Sequence, residues 1–236
     1  MEPNHIYQYS LLNALMDGVS GSGIRASELL QKGNQGLGTF VNMNGELLML
    51  DNKIYQLQPH GHIRIADPDD QIPFAVVTNF VPEENVTTML DSKDNISRVL
   101  EEFTQGQAGN LFVTYRIEGK FEWIKCRTVH GVEYPGQPLS ELGKKQVVDE
   151  FGDVEGVIVG FRTPANWQGF GVAGEHAHFI DAGRGRGGHV LGVRSMGEVK
   201  VGMAVVADVK VSLPRSREFN RAKLVTDDAG VREVEG

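Results

Sequence analysis

The sequence predicts an α/β protein of the α+β kind, rich in strands and divided into two parts. Three observations carry that expectation. Apolar residues alternate with polar ones, or run together for a few positions, along most of the chain, as in LysIleTyrGlnLeuGln (53–58). Helical spacing is confined to short stretches near 11–16, 26–32, 95–103 and 140–151. TyrProGlyGlnPro (134–138) interrupts every pattern, because two prolines and a glycine do not sit within one regular element. It separates an N-terminal part, 1–136, of helices and strands from a C-terminal part, 137–236, that is almost all strand. Turn spacing in the second part is that of a small barrel or sandwich.

Element by element, Ser10 can cap a helix carrying Leu11, Leu12, Leu15 and Met16, with Gly18 beyond its end. A second short helix, 26–32, stops at Gly33. Strands follow at 36–43, 45–51 and 53–58, with Asn44-Gly45 a strong hairpin turn and Asp51-Asn52 a weaker one. The sheet continues through 63–66 and 73–80. Ile96, Val99, Leu100 and Phe103 share one helical face over 95–103. Residues 110–119 and 120–129 read as a hairpin turning at Glu118-Gly119-Lys120. A helix over 140–151, interrupted at Gly143, opens the second part. Strands at 154–161, 170–180, 189–196 and 198–214 follow, then a helical turn at 219–223 and a polar tail from Asp227.

Composition excludes several function classes. A net charge of −8 leaves no positive surface of the kind that nucleic acid or an anionic membrane requires. The single cysteine, Cys126, rules out an internal disulfide framework and fits a reducing compartment. No apolar run approaches the ~18 residues of a membrane span, and residues 1–18 lack the regions of a signal peptide. A cytoplasmic location is expected.

The chemistry concentrates in GlyGluHisAlaHisPheIleAspAlaGlyArgGlyArgGlyGlyHisValLeu (174–191). Of seven histidines in 236 residues, three lie between 176 and 189. On a strand, His176 and His178 project from one face with Cα atoms about 6.5–7 Å apart, a spacing from which two imidazoles can reach one metal. The glycine-rich run predicts a turn, and a hairpin would return His189 beside the pair. Three neutral nitrogen ligands with an open position is the catalytic rather than the structural zinc arrangement. Glu175 falls on the opposite face. Read alone, a His-x-His pair is commonly surface polarity; the third histidine across the turn favours a metal site.

Other residues remain open on this reading. Glu46, just after the Asn44-Gly45 turn and opposite Thr39, reads as a solvated turn carboxylate. Arg127, in a mostly apolar strand, needs either a structural ion pair or a substrate carboxylate. Arg184 and Arg186 read as solvated, and His60 and His62 as surface residues of a loop. Gly33, Gly36 and Gly38 match no nucleotide-binding fingerprint.

Together these segments resemble the bacterial α-acetolactate decarboxylases along essentially the whole chain. The resemblance is carried by ThrPhe (39–40), GlyGluLeu (45–47), LeuAsp-x3-TyrGln (50–56), ProPheAlaVal (73–76), ArgThrVal (127–129), GlyPheArgThrPro (160–164), HisAlaHisPhe (176–179) and GlyGlyHisValLeu (187–191). Departures fall at Ala173, at Gly183 and over 130–135. The resemblance implies a mixed sheet in the N-terminal domain and an antiparallel, barrel-like sheet carrying the metal in the C-terminal domain. It implies zinc on His176, His178 and His189, functional roles for Glu46, Arg127 and Thr39, and a further carboxylate at Glu235, with Glu233, on the other side of Val234, the alternative. The implied reaction converts 2-acetolactate to acetoin and carbon dioxide, zinc polarising the ketone and stabilising the enediolate before stereoselective protonation. A homodimer is implied in the same way.

Two other readings compete. A cupin-type metal oxygenase also uses His-x-His, but usually with a glutamate three or four residues on, where this chain has Asp181 and then glycines. A non-catalytic β-rich module stabilised by metal would normally supply a fourth protein ligand.

Overall fold

The alternating pattern builds two large sheets packed face to face, described over residues 2–225 in a computed structural model. The chain begins with β1 (Ile6–Tyr9), α1 (Leu12–Met16), β2 (Ile24–Arg25), α2 (Ala26–Leu29), β3 (Gln35–Thr39), β4 (Glu46–Leu50) and β5 (Lys53–Gln58). Next come β6 (His62–Ile65), β7 (Gln71–Ile72), β8 (Phe74–Thr78), β9 (Glu84–Met89), α3 (Lys93–Thr104) and β10 (Phe112–Thr128). It continues with α4 (Leu139–Gly143), β11 (Val147–Thr163), β12 (Gly174–Asp181), β13 (Gly187–Ser195), β14 (Glu198–Val206), β15 (Val209–Ser212) and α5 (Arg217–Arg221).

One sheet has seven strands in the order β15-β1-β8-β3-β4-β5-β6. It is mixed, because β1 runs parallel to β15 and antiparallel to β8. The other has six antiparallel strands in the order β11-β12-β13-β10-β14-β9. In it β10 also pairs with β11, which curls β11, β12, β13 and β10 into a barrel-like ring. Strands from both sides of the 134–138 segment enter each large sheet. No helix among the described residues is long and apolar enough to cross a membrane.

Period-two alternation decides which side chains meet. From the seven-stranded sheet, Leu37, Leu48, Leu50 and Tyr55 join Val159, Phe161 and Ile180 of the six-stranded sheet in one apolar layer. The intervening Leu47, Met49 and Ile54 face away and pack with Ala26 and Leu29 of α2. Glu46 is two residues from Leu48, so it too points at the six-stranded sheet. On β12, His176 and His178 share the face of Ile180, whereas Ala177 and Phe179 enter the core of the barrel-like ring under α3. The fold thus aims a carboxylate from one sheet at two histidines of the other.

Several sequence expectations are corrected. Residues 112–128 form one 17-residue strand with no turn at Glu118-Gly119-Lys120. Gly119 is a packing glycine there: a Cβ on it would lie 2.6 Å from Cγ1 of Val199. The helix after Pro138 ends at Gly143, and 147–151 belong to β11, drawn into the ladder with β10. The tight hairpin is at Asp51-Asn52, both with positive φ, which joins β4 directly to β5. Asn44-Gly45 instead closes a longer connection that contains a 3-10 turn, Val41–Met43. Ser10 does not cap α1; the N-cap is Leu11, with no side-chain hydrogen bond.

Candidate metal centre

The β12–β13 hairpin forms with His178 directly opposite His189 and His176 two positions along the same face. All three are buried, their ring centroids are 5.0–5.5 Å apart, and one ligand atom from each lies within 4.8 Å of the others. Asp181 shapes the return loop: its carboxylate accepts from the backbone N–H of Gly185 and Arg186 at 2.7 and 2.8 Å, and its carbonyl from Arg184 at 2.9 Å. Arg184 also lies over the Tyr55 ring and is half-buried, while Arg186 lies over that of Phe151 and stays exposed. His60 and His62 are exposed and lie outside the three-histidine group, though His62 begins β6 instead of lying in a loop.

The imidazoles are prepared as neutral ligands. Nδ1 of His178 is 2.7 Å from the carbonyl oxygen of Leu47, which can only accept, so Nδ1 carries the proton and Nε2 keeps its lone pair. Burial holds the pKa of His176 down at about 3, helped by the Arg127 charge. The same two causes hold His189 well below the ordinary histidine range. The Leu47 carbonyl is a functional group that sequence reading misses, since a backbone oxygen leaves no mark on residue type.

Glu46 and Arg127 meet at the centre. Arg127 lies opposite His189 in the β10–β13 ladder, and its Nη1 donates to Oε1 of Glu46 at 3.2 Å. The other carboxylate oxygen of Glu46 is 3.6 Å from Nε2 of His178. Both residues are buried, at 6% and 2% exposure, so Glu46 is not a solvated turn carboxylate. The β3–β4 ladder carries it under the second sheet, paired with Thr39. The Thr39 hydroxyl donates to the carbonyl of Gly45 at 2.8 Å, so towards a ligand it can act only as an acceptor. Thr39, Glu46, Arg127 and His176 line one pocket, whose remaining wall includes Leu12 and Leu15 of α1 and Leu139 of α4. In sequence Leu12 and Leu15 read only as helical positions, and nothing marks Leu139. Glu235 and Glu233 lie outside the described residues.

This donor set fits a divalent transition metal. Three convergent buried nitrogens, with His176 and His189 held neutral, suit a borderline-soft cation and do not suit magnesium or calcium, which take oxygen ligands. Asp181, where the cupin pattern would look for a ligand, is committed to the loop and stands outside the group.

Comparison with known proteins points to one family. The family model for alpha-acetolactate decarboxylase matches residues 6–226. The alpha-acetolactate decarboxylase of Klebsiella aerogenes is 38% identical over 98% of this chain and 88% of its own length. That of Bacillus subtilis strain 168 is 34% identical over 95% of this chain and 88% of its own. The crystal structure of the Bacillus subtilis strain 168 enzyme superposes with a TM-score of 0.92 over 98% of this chain and 99% of that one, at 33% identity. A Staphylococcus aureus protein described as similar to the same enzyme superposes at 0.90, with 30% identity and 98% of each chain covered. On the strength of the matched segments, the shared architecture and the buried three-histidine group, this chain belongs to the alpha-acetolactate decarboxylase family.

Proposed function

We propose that the protein decarboxylates 2-acetolactate to acetoin and carbon dioxide, with zinc held by His176, His178 and His189. The carrying observation is that a buried carboxylate–guanidinium pair from two different strands lies against the three convergent histidines and lines one pocket with His176. Bound there, zinc supplies a Lewis acid for the electron pair released with carbon dioxide, and three neutral ligands leave its positive charge undiminished.

The remaining steps belong to the chain. A guanidinium has five N–H donors in a planar fork, so Arg127 can serve Glu46 and a substrate carboxylate together, orienting the bond that breaks. Glu46, held by the Arg127 hydrogen bond, takes the proton of the substrate hydroxyl. It then passes a proton to one face of the carbon that carbon dioxide has left, giving a single acetoin enantiomer. One proton per turnover is drawn from water. Thr39, paired with Glu46 across the β3–β4 ladder, lines the same pocket and shapes the space beside that carboxylate. The resemblance adds Glu235 as a second carboxylate and is the ground for proposing a homodimer; the cytoplasmic location is proposed on the single cysteine and the composition of residues 1–18.

The test is to supply 2-acetolactate to the purified protein and measure acetoin and carbon dioxide before and after chelation, then after zinc is restored. Turnover should vanish with the metal and return with it. Replacement of His176, His178 or His189 by alanine should strip zinc and abolish turnover, whereas His60→Ala should do neither. Full turnover with bound metal in any of the three site variants contradicts the assignment.

A further inference from the structure

The pocket beside the histidines has two walls of opposite chemistry. Thr39, Glu46, Arg127 and His176 make the polar wall; Leu12, Leu15, Met43, Phe74, Val129 and Leu139 make the other. The apolar six are all buried and belong to one cluster, completed behind them by Met16 and Leu142. That wall offers no hydrogen-bond donor and no acceptor beyond the weak thioether sulfur of Met43, so a polar substituent turned towards it would lose water without gaining a strong partner, whereas an alkyl group is favoured by burial.

The six differ in what supports them. Phe74 lies on β8 and Val129 directly follows β10, so both are tied to the sheets. Met43 sits in the 3-10 turn between β3 and β4, and Leu12 and Leu15 belong to α1. Leu139 opens α4, a helix of five residues entered through Pro138 and backed by buried Leu142. Of the six, it is carried by a short helix that belongs to neither sheet and supplies no other residue to the pocket.

We propose that this apolar wall is the subsite for the alkyl substituent on the hydroxyl-bearing carbon of the substrate, and that Leu139 sets the largest group it accepts. The proposal rests on the decarboxylase reading of the same pocket. One methylene in a hydrophobic pocket changes discrimination by roughly 10–200-fold, so a side chain of this size is enough to set a limit.

The experiment measures kcat/KM of the zinc-loaded protein for 2-hydroxy-3-oxobutanoates bearing a methyl, ethyl or propyl group at carbon 2. Wild type is compared with Leu139→Ala and Leu139→Phe. The propyl-to-methyl ratio should rise at least about tenfold in Leu139→Ala and fall in Leu139→Phe. Because the readout is a ratio between substrates, partial loss of folded or metal-loaded protein does not move it; if Leu139→Ala does not fold, Leu139→Val takes its place. Ratios equal to the wild-type value in the smaller and larger variants overturn the subsite and leave the decarboxylase reading standing. A wild-type protein that consumes none of the three acids overturns both.

Discussion

At the scale of single residues, the centre works by arranging charge where water cannot reach it. Glu46 and Arg127 are each other's compensation, and removing one member of such a pair strands the other at a cost of about 3–5 kcal/mol. The informative substitutions therefore keep shape. Glu46→Gln should retain zinc and lower turnover by roughly 10²–10⁴, or give acetoin of reduced enantiomeric purity. Arg127→Lys keeps the charge but loses the planar fork, and should cut turnover while zinc content, measured by elemental analysis, stays at wild-type level. Near-normal rates with unchanged stereochemistry would move both roles elsewhere. The buried imidazoles make a separate prediction about pH. The folded pKa of His176 is depressed to about 3, so between pH 6.5 and about 3 the unfolded chain takes up protons that the folded one refuses. His189 shifts in the same direction. Stability of the metal-free protein should accordingly fall as pH drops below about 6.5. Thermal melts of chelator-treated protein from pH 7.5 to 5 check this, and a flat profile would mean that the rings take up protons as readily in the folded chain as in the unfolded one.

At the scale of elements, the centre depends on how closely β13 lies against β10. A Cβ on Gly188 would fall 2.6 Å from the carbonyl oxygen of Arg127 and 3.1 Å from both Cβ of Cys126 and Cγ2 of Thr128, at a φ of +155°. Gly188→Ala must therefore push the strands apart beside the Arg127–His189 pair, at the roughly 1–3 kcal/mol typical of overpacking. A lowered Tm together with weakened zinc binding is expected, whereas Gly185→Ala, in open space on the same hairpin, should change neither. This dependence was partly legible in sequence. Two histidines at period two, glycines and a third histidine are enough to predict the hairpin, because the ligands lie within one local unit. Elements set by partners further along the chain were not legible. β9 is exposed at most positions and carries no apolar alternation; its pairing with β14 makes it a strand. Gly119 looks like a turn until Val199 is found packed against it. Residues 147–151 continue a helical period locally, but fifteen register pairs with β10 outweigh that preference.

At the scale of the whole molecule, the candidate site exists only because two sheets meet. Thr39 and Glu46 come from the seven-stranded sheet, and Arg127 and the histidines from the six-stranded one. Spacing along the chain could not bring these groups together, and resemblance to a family was the only sequence-level route to the complete set. Glu235 depends on that route still, since it lies outside the described residues. What the structure contributes is the point from which the tail departs. Phe219 of α5 is buried against Ala14 and Val19. The N–H of Leu224 donates to the Asp17 carboxylate at 2.8 Å, and its carbonyl accepts from Asn13 at 3.2 Å. Asn13 belongs to α1, whose Leu12 and Leu15 line the pocket. From Leu224 to Glu235 is eleven residues (235 − 224), which extended can cover up to about 36–40 Å, so reach sets no obstacle. A protein truncated after Val225 keeps the Phe219 and Leu224 anchors, and its zinc content and Tm should match the full chain. If Glu235 completes the site, turnover should nevertheless fall by about 10²–10⁴, and Glu235→Gln should reproduce the loss where Glu233→Gln does not. The reverse order in the two point variants would shift the register by two. Undiminished turnover in the truncated protein would show that the last eleven residues are dispensable, as chain ends commonly are.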